Sequence, residues 1–495
     1  MALSVAVIGG GLGGLSAAIY LAHRGARVFL FEKESSLGGK AGEVRLGRYR
    51  FDTGPSVVTL PQVIQNLFWE VGEDFSAYLQ LVPVEPITSY FFPDGRRLEV
   101  WRDPDRMQAE LQAWGPEAVW RWRRFLDYSR RLYENAAPLF LEVPIHEARL
   151  LLRSPAFWRW RNLFLPIDPF RSMHRAARAI LKEPHLIQVA DRFATYNGSD
   201  PFRAPATLNL IFWVEQGLGV FYVKGGLYRL VEALGQLARQ KGVEIRLSTP
   251  VHRIVVEKGQ VVGVETEAGF FPAQVVVSGV DVRTTYRHLL GRKEPWGVRW
   301  GEPSLSGLVF LWGLRSQTPL GHHSVFFSPD YEQEFREIFR LRHPPTQPTL
   351  YVAITGRRDP DHAPADGENW FVLLNLPAWA GEWPAEETVR LRTYACQVFR
   401  REVPGFSEER IEVERVLTPA HWAGLGSAFG SLYGTASNRP WSAFLRPPNR
   451  SRQLRGLYFV GGSSHPGGGI PLVLLSGRHA ANLITEAYLL PRKNV

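Results

Sequence analysis

The chain has 495 residues, of which 45% are hydrophobic and 21% charged; this composition excludes a largely disordered protein, and the length predicts two or three lobes rather than one small core. The net charge of +10 would suit nucleic acid, an anionic membrane surface or a basic proteome, but the arginines are spread along the chain and no nucleic-acid motif occurs, so we expect no nucleic-acid partner. The single cysteine, Cys396, excludes an internal disulfide and any cysteine-built metal site.

The first predicted elements form a βαβ unit. Residues 5–8 (VAVI) predict a buried strand, GGGLGG follows, and apolar residues then recur at helical spacing up to His23. Residues 28–31 predict a second buried strand, which ends at Glu32. An acidic residue about 20 positions after a G-x-G-x-x-G loop is typical of a dinucleotide-binding unit, although a glycine-rich turn that binds nothing is the alternative.

Three glycines of this loop have separate expected roles. Gly9 permits the tight turn, Gly11 lets the backbone approach a pyrophosphate, and Gly14 lets the helix lie close to the sheet. The helix N-terminus then presents free N–H groups to the phosphates. Glu32 is placed to accept hydrogen bonds from ribose hydroxyls, and its charge would repel a 2′-phosphate. The expected ligand is therefore FAD or NAD rather than NADP.

After Glu32 the chain runs EKESSLGGKAGEVRLGRYRFDTGPSVV, with a second glycine pair, Gly38 and Gly39, followed by Lys40. Here the chain resembles the FAD-dependent amine oxidase and carotenoid desaturase superfamily, whose members carry such a pair after the ribose-binding acid. The resemblance favours FAD. It also implies that residues 53–56 pass near the flavin, whereas the residues alone would equally suit a strand that ends in a Gly-Pro turn.

The next stretches predict a hairpin and then helices. Residues 87–100 indicate two strands joined by Asp-Gly, which begin a second sheet. Residues 103–200 are mostly helical by periodicity, and the stretches 114–133 and 151–178 interleave tryptophan with arginine. This composition favours a membrane interface. The alternative is a set of helices packed on the FAD lobe with a solvated arginine face.

Residues 223–286 predict a helix, a strand, a two-stranded excursion and a returning strand. Flavoproteins of the superfamily complete the FAD lobe in this order. The resemblance places Val251 where the backbone holds the adenine, and Ser278 with Gly279 where the chain re-enters near the cofactor. Further strands are predicted at 304–314, 349–355 and 370–376 in a substrate lobe.

Two adjacent histidines, His322 and His323, suggest a metal site at first sight. Neighbours on a strand point to opposite faces, so one metal ion cannot easily bind both. The pair also resembles a landmark of the carotenoid desaturases, and we interpret it as structural. Residues 430–434 and 446–450 form loops that we expect near the substrate.

The segment 456–484 (GLYFVGGSSHPGGGIPLVLLSGRHAANLI) predicts a buried strand, a glycine pair and a helix from residue 470 with proline in its first turn. The helix N-terminus can face the pyrimidine edge of a flavin and stabilise negative charge there. HPGGGIP followed by LSGR closely resembles the carotenoid desaturase family, so the resemblance runs from end to end. The triple glycine and the GSLYG loop look more like the branch with terminal oxidases and later-step desaturases.

The predicted fold is α/β, with a Rossmann-like FAD-binding domain, a β-sheet substrate domain and a helical, membrane-facing region. The assigned ranges are 1–80, 220–290 and 455–495 for FAD binding, 81–102 and 291–454 for substrate, and 103–219 for the helical region. The residues expected to bind FAD are Gly9, Gly11, Leu12, Gly13, Gly14, Glu32, Lys33, Gly39, Lys40, Gly54, Pro55, Ser56, Val251, Gly461, Gly462, Ile470 and Pro471.

The resemblance implies an FAD-dependent desaturase that takes a hydride and a proton from adjacent carbons of phytoene or a related isoprenoid, with quinone or oxygen as the electron acceptor. The alternatives are a terminal oxidase, ketolase or polyene saturase of the same family, and a flavin-free carrier. His465 is a candidate catalytic residue, with a structural hydrogen bond as the alternative, and Glu215 and Asp281 are weaker candidates by position. A first strand from about residue 4 leaves no room for a signal peptide, and no apolar run approaches about 20 residues, so we expect a cytoplasmic or peripheral membrane location.

Overall fold

The computed structural model describes residues 2–54, 56–155, 157–158, 167–440, 442 and 446–490. The strands in these ranges, numbered in chain order, are β1 Ser4–Ile8, β2 Arg27–Phe31, β3 Glu43–Leu46, β4 Tyr49–Asp52, β5 Leu81–Pro83, β6 Thr88–Phe91, β7 Arg97–Val100, β8 Phe221–Val223, β9 Glu244–Arg246, β10 Val251–Glu257, β11 Gln260–Thr266, β12 Gly269–Pro272, β13 Val275–Ser278, β14 Ser306–Leu314, β15 His323–Phe326, β16 Leu350–Ile354, β17 Glu368–Leu376, β18 Ile411–Leu417 and β19 Leu457–Phe459.

The α-helices of the described ranges follow the periodicity of the sequence in most places. They span Leu12–His23, Pro61–Glu70, Pro104–Gln112, Ala118–Glu142, Ala148–Arg153, Met173–Leu181, Pro184–Arg192, Leu210–Gln216, Tyr228–Gln240, Val282–Thr284, Trp296–Arg299, Tyr331–Arg336, Ala385–Glu402, Pro419–Gly424 and Ile470–Ile484.

Five parallel strands form the first sheet, in the order β19-β13-β1-β2-β9. β1 and β2 are parallel neighbours, and helix Leu12–His23 connects them, as the βαβ pattern predicts. Residues 5–8 of β1 are all buried because both faces of the sheet are covered. The predicted α/β fold is therefore present, and the carboxyl ends of β1 and β19 both lead into glycine-rich loops at one edge of this sheet.

A seven-stranded sheet of order β18-β14-β17-β16-β15-β6-β7 forms the second layer. Its pairs are antiparallel except for β15 with β6. The predicted Asp-Gly hairpin is confirmed as β6 and β7 at one edge of this sheet. Trp312 and Trp370 face each other across β14 and β17, and both are fully buried, which anchors the core of this layer.

Two strand predictions are incomplete. Residues 43–58 suggested one strand and a loop, but β3 and β4 form a hairpin whose turn contains Gly47 with φ of 56°. The predicted two-stranded excursion has three strands, β10, β11 and β12, because Gly269 at φ 110° reverses the chain once more. The boundaries of the three lobes stay a prediction.

The reasoning that kept His322 and His323 apart is wrong. His322 precedes β15, so strand alternation does not govern it, and the two ring centroids lie 4.5 Å apart in a T-shaped contact. Burial lowers the pKa of His322 to about 3. Within the described part of the chain, no three or more His, Cys, Asp or Glu side chains are grouped so that they could hold a metal ion.

The tryptophan- and arginine-rich stretches divide between core and surface. Trp114 and Trp122, the second of which belongs to helix Ala118–Glu142, are buried in the core, whereas Trp120, Trp158 and Phe170 are exposed. The buried tryptophans therefore belong to the packed-helix alternative. None of the helices in the described ranges is long and apolar enough to span a bilayer.

Candidate functional site

A cavity of about 750 Å³ lies between the parallel sheet, the seven-stranded sheet and the helical region. One part of its lining is the glycine-rich edge of the parallel sheet, which includes Gly9, Gly11, Gly461 and Gly469. Another part is apolar and comes from β14 and β17 together with helices Ala118–Glu142 and Leu210–Gln216. The cavity therefore joins a dinucleotide-type loop to a hydrophobic chamber.

Nearly all the residues predicted to bind the cofactor line this cavity. They are Gly9, Gly11, Leu12, Gly13, Gly14, Glu32, Lys33, Gly39, Lys40, Gly54, Ser56, Val251, Gly461, Gly462, Ile470 and Pro471. Pro55 lies outside the described residues. His465 is not among the lining residues, although the adjacent Pro466 is.

Glu32 is held rigidly at the end of β2. One carboxylate oxygen accepts a hydrogen bond from the Gly10 amide at 2.6 Å, and the other accepts one from the Glu34 amide at 2.9 Å. The side chain is buried and lines the cavity. Because each carboxylate oxygen has two lone-pair directions, capacity remains to accept hydrogen bonds from a hydroxyl-bearing ligand.

The loop glycines differ in what surrounds them. A Cβ on Gly14 would lie 2.1 Å from the Gly9 carbonyl oxygen, so this position must be glycine for the helix to approach the strand. A Cβ on Gly11 would have one neighbour within 4 Å, the Gly38 carbonyl oxygen at 3.9 Å. A side chain at Gly11 would therefore occupy the cavity, not the protein core.

Two helices begin at this edge of the cavity and pack tightly together. Helix Ile470–Ile484 starts after Gly469, and helix Leu12–His23 starts after Gly11. Ser16 donates a hydrogen bond to the Leu474 carbonyl at 2.8 Å, and a Cβ on Gly477 would lie 2.6 Å from the Gly13 carbonyl oxygen. The close crossing brings two sets of free N–H groups and two partial positive charges to the same cavity.

Two buried cations also line the cavity. The Lys40 ammonium donates to the Leu432 carbonyl at 2.8 Å, and burial lowers its pKa to about 8. The Arg446 guanidinium donates to the Tyr433 carbonyl at 2.9 Å and to the Gly462 carbonyl at 3.2 Å, and burial lowers its pKa to about 10. Neither forms an ion pair within 4.0 Å with a carboxylate of the described residues, although the Asp281 carboxyl group lies close enough to raise the pKa of Lys40 against the effect of burial.

His465 is held by structural contacts, although its Nδ1 atom has no hydrogen-bond partner among the described residues. Its Nε2 atom donates to the Val143 carbonyl oxygen at 3.0 Å, and its ring lies 5.6 Å from those of His146 and His479. Burial lowers the pKa of His465 well below the usual range, so the ring stays neutral. These contacts favour the structural hydrogen bond over the catalytic role.

The two weaker candidates are placed differently. Asp281 lines the cavity, its carboxylate accepts from the Arg283 amide at 2.8 Å, and burial raises its pKa. Glu215 lies behind the lining, where it accepts hydrogen bonds from the Tyr196 hydroxyl and, at 3.3 Å, from the Gln216 side chain. Burial raises the pKa of Glu215 as well.

A polar cluster inside the hydrophobic chamber was missed from the sequence. Arg192, Tyr196, Tyr331 and Tyr351 line the cavity. Arg192 and Tyr196 are four residues apart, a spacing that places two side chains on one helical face and could have suggested a pair. Tyr331 and Tyr351 come from a helix and from β16, and nothing local in the sequence links them to Arg192.

Comparison with known proteins places this site in a family context. Residues 12–485 match the family model described as flavin containing amine oxidoreductase. The chain is 37% identical over 487 residues to a 1-hydroxycarotenoid 3,4-desaturase of Flavobacterium sp. (strain P99-3), covering 97% of this chain and 98% of that protein. It is 35% identical over 486 residues to a 4,4'-diapolycopene oxygenase of a Methylomonas species, covering 96% of each chain.

Among solved structures, the fold is similar to that of an oxidoreductase from Methanosarcina mazei. The TM-score is 0.66, the sequence identity is 16%, and the match covers 97% of this chain and 99% of the other. At this identity the likeness describes the fold alone.

Proposed function

Because the chain belongs to the flavin containing amine oxidoreductase family, we propose that it is an FAD-dependent carotenoid desaturase, which forms a carbon–carbon double bond in phytoene or a related long isoprenoid. Family membership makes the chain an oxidoreductase and FAD its cofactor. The proposed substrate is supported by carotenoid-acting relatives that match nearly the whole chain.

The residues of the cavity edge fit FAD. Glu32 has free acceptor capacity for the ribose hydroxyls, and the open space at Gly11 leaves room for the pyrophosphate. The two helix N-termini suit the phosphates and the pyrimidine ring of the flavin. We assign the seventeen positions predicted from the sequence to cofactor binding on these grounds, Pro55 by its place in the chain alone.

When bound, FAD supplies the acceptor for the hydride that leaves a saturated carbon. The residues of this chain hold the substrate and keep water away. Ala136, Phe140 and Ile211 present an apolar wall on the helical side, and Val309 and Leu373 present one from the seven-stranded sheet. A hydrocarbon lacks polar handles, so its orientation must come from the shape of these walls.

The observation that carries the proposal is the continuity of this apolar chamber with the dinucleotide edge. The residues of the chamber walls, such as Ala136, Ile211 and Val309, offer no charged partner to the ammonium group of a small amine. A neutral apolar chain suits the chamber better. The apolar residues on the helical and sheet sides of the cavity suit a long hydrocarbon beside the cofactor.

Pigment analysis in cells that accumulate phytoene, or separately lycopene, tests this function. We expect more conjugated, coloured carotenes from at least one of these substrates when the chain is expressed. The Gly11→Val variant is the matched negative control, since it should lose FAD without losing its fold. Unchanged pigments in both strains, from a protein that retains FAD, would reject the proposal.

The second candidate function is a carotenoid oxygenase, which the 35% identical relative favours. The same extracts distinguish the two functions. New double bonds without oxygen indicate a desaturase, whereas aldehyde or keto products indicate an oxygenase. The final electron acceptor, quinone or oxygen, is tested by following turnover with each under otherwise anaerobic conditions.

We further propose that the exposed aromatic residues of the helical region bring the protein to the surface of a membrane. Trp120 is 54% exposed and Phe170 is 77% exposed, and arginines such as Arg121 and Arg124 lie beside the Trp120 ring. Aromatic rings with adjacent cations suit anionic headgroups. Trp158 is also exposed, whereas Trp160 lies outside the described residues.

A further inference from the structure

We propose that Arg192 and Tyr331 form an oxygen-recognition subsite, which selects a carotenoid whose chain carries a hydroxyl or carbonyl oxygen near the bond that reacts. The inference rests on the proposed function, because it takes the apolar chamber as the carotenoid site. It goes further by naming the residues that read the substrate.

Arg192 is the centre of this subsite. It is buried, and its guanidinium lies 5.4 to 5.7 Å from the ring centroids of Tyr90, Tyr196 and Tyr351. Its Nη1 atom donates to the Tyr90 hydroxyl at a long 3.4 Å. It forms no ion pair within 4.0 Å with any carboxylate of the described residues. A guanidinium has five N–H donors and no acceptor, so this site has donors to offer.

The charge of Arg192 is balanced through an intermediate residue. The Tyr196 hydroxyl donates to the Glu215 carboxylate, and Arg192 in turn lies over the Tyr196 ring. A negative charge near a buried cation leaves the local charge close to neutral. The subsite therefore suits a neutral oxygen that accepts a hydrogen bond, and a second carboxylate would meet repulsion from Glu215.

Tyr331 gives an independent indication of a missing partner. Its hydroxyl is buried and has no hydrogen-bond partner among the described residues, although the residue lines the cavity. Its ring is fixed by T-shaped contacts with Phe327 at 5.3 Å and Phe335 at 5.1 Å. A buried hydroxyl without a partner is costly, and a substrate oxygen would satisfy it.

The position of the cluster relative to the cofactor edge supports a role in substrate choice. The Tyr351 hydroxyl is 2.5 Å from the Ser56 hydroxyl and 2.8 Å from His323 Nδ1. Ser56 belongs to the segment that borders the proposed FAD site. Tyr351 therefore contacts both this segment and Arg192. Hydrogen-bond donors this close to the cofactor edge would select a substrate whose oxygen lies near the bond that reacts.

Binding to the FAD-loaded enzyme tests this inference independently of turnover. Three carotenoids of equal carbon number, a hydrocarbon, a terminal alcohol and a terminal aldehyde, are titrated in detergent micelles while tryptophan fluorescence is followed. We expect wild-type protein to bind at least one of the oxygenated chains about 10-fold more tightly than the hydrocarbon, and the aldehyde and alcohol arms show which oxygen is read.

Two variants and one control complete the design. Tyr331→Phe and Arg192→Lys should each reduce that preference several-fold, whereas Tyr128→Phe, which removes a tyrosine hydroxyl outside the cavity, should keep it. If Arg192→Lys fails to fold, Tyr331→Phe still decides, since its hydroxyl has no protein partner to lose. Equal binding of all three carotenoids to wild-type protein, or an unchanged preference in Tyr331→Phe, overturns the subsite. Absence of turnover with the binding preference intact overturns only the proposed reaction.

Discussion

The crossing of helices Leu12–His23 and Ile470–Ile484 makes a sharp prediction for Gly477→Ala. A Cβ at residue 477 would lie 2.6 Å from the Gly13 carbonyl oxygen, 2.6 Å from Ser16 Cβ and 2.7 Å from the Ala17 amide nitrogen. Two of these three atoms are backbone, so no rotamer change can relieve the contact. The helices would have to separate by roughly 1 Å to restore ordinary van der Waals distances.

The expected free energy follows from two opposing effects. Alanine in place of glycine inside a helix gains about 1 kcal/mol of helix propensity. Overpacking against a fixed backbone costs about 1–3 kcal/mol and sometimes more. We therefore expect Gly477→Ala to lower the free energy of unfolding by up to about 2 kcal/mol, and to loosen FAD, since the same crossing sets the two helix N-termini.

Thermal unfolding and the FAD-to-protein absorbance ratio measure both effects. Gly297→Ala is the matched control, because it makes the same substitution in helix Trp296–Arg299 at a position where a Cβ would have nothing within 4 Å. We expect the control to keep its FAD and to melt at the wild-type temperature or slightly above it, because it gains helix propensity without a clash. A Gly477→Ala protein as stable and as yellow as Gly297→Ala would refute the reasoning.

Three further predictions concern the cofactor loop, a buried histidine and the exposed aromatic residues. Gly11→Val should lose FAD while keeping its circular dichroism and melting curve in the absence of cofactor, because the new side chain enters the cavity; retained FAD would contradict this. Burial lowers the pKa of His479 from 6.5 to about 4, so between pH 6.5 and 4 the unfolded chain binds a proton that the folded protein does not. The free energy of unfolding should therefore fall by about 3 kcal/mol as the pH drops through this range. Denaturant melts of His479→Leu should show a smaller decrease over the same range. The double variant Trp120→Ala and Phe170→Ala should bind less to anionic liposomes in co-sedimentation, whereas Trp69→Ala, a change at an exposed tryptophan elsewhere, should not. An equal loss of binding in both proteins would contradict a specific membrane-binding role for Trp120 and Phe170.

The dinucleotide edge could be predicted from the sequence because its determinants are local. The strand, the glycine loop, the helix and Glu32 fall within about thirty consecutive residues, and each residue's conformational requirement is visible in its type. Gly14 is an example. A Cβ at this position would lie 2.1 Å from the Gly9 carbonyl oxygen, so only glycine fits here. The C-terminal strand and helix were predicted for the same reason.

The polar cluster could not be predicted in this way, since it forms only when distant segments meet. Arg192 ends one helix, Tyr331 starts another, and Tyr351 lies on β16, with long stretches of chain between them. The prediction for the histidine pair failed for a related reason: the alternation argument assumed that both residues lie in the strand, whereas β15 begins at His323 and leaves His322 outside it. Tertiary contacts and exact strand ends are the information that periodicity lacks.

The buried cations of the cavity differ in how their charge is balanced, and this difference separates two tasks. Lys40 and Arg446 donate to backbone carbonyls, so their positive potential remains available beside the helix N-termini, where FAD brings phosphates and gains negative charge on reduction. Arg192 instead lies beside the Tyr196–Glu215 pair, which cancels much of its field and leaves hydrogen-bond donors. A cavity with cations and helix N-termini at one edge and a nearly neutral, donor-rich interior can hold an anionic cofactor at one place and recognise a neutral oxygen at another without either ligand competing for the other's site.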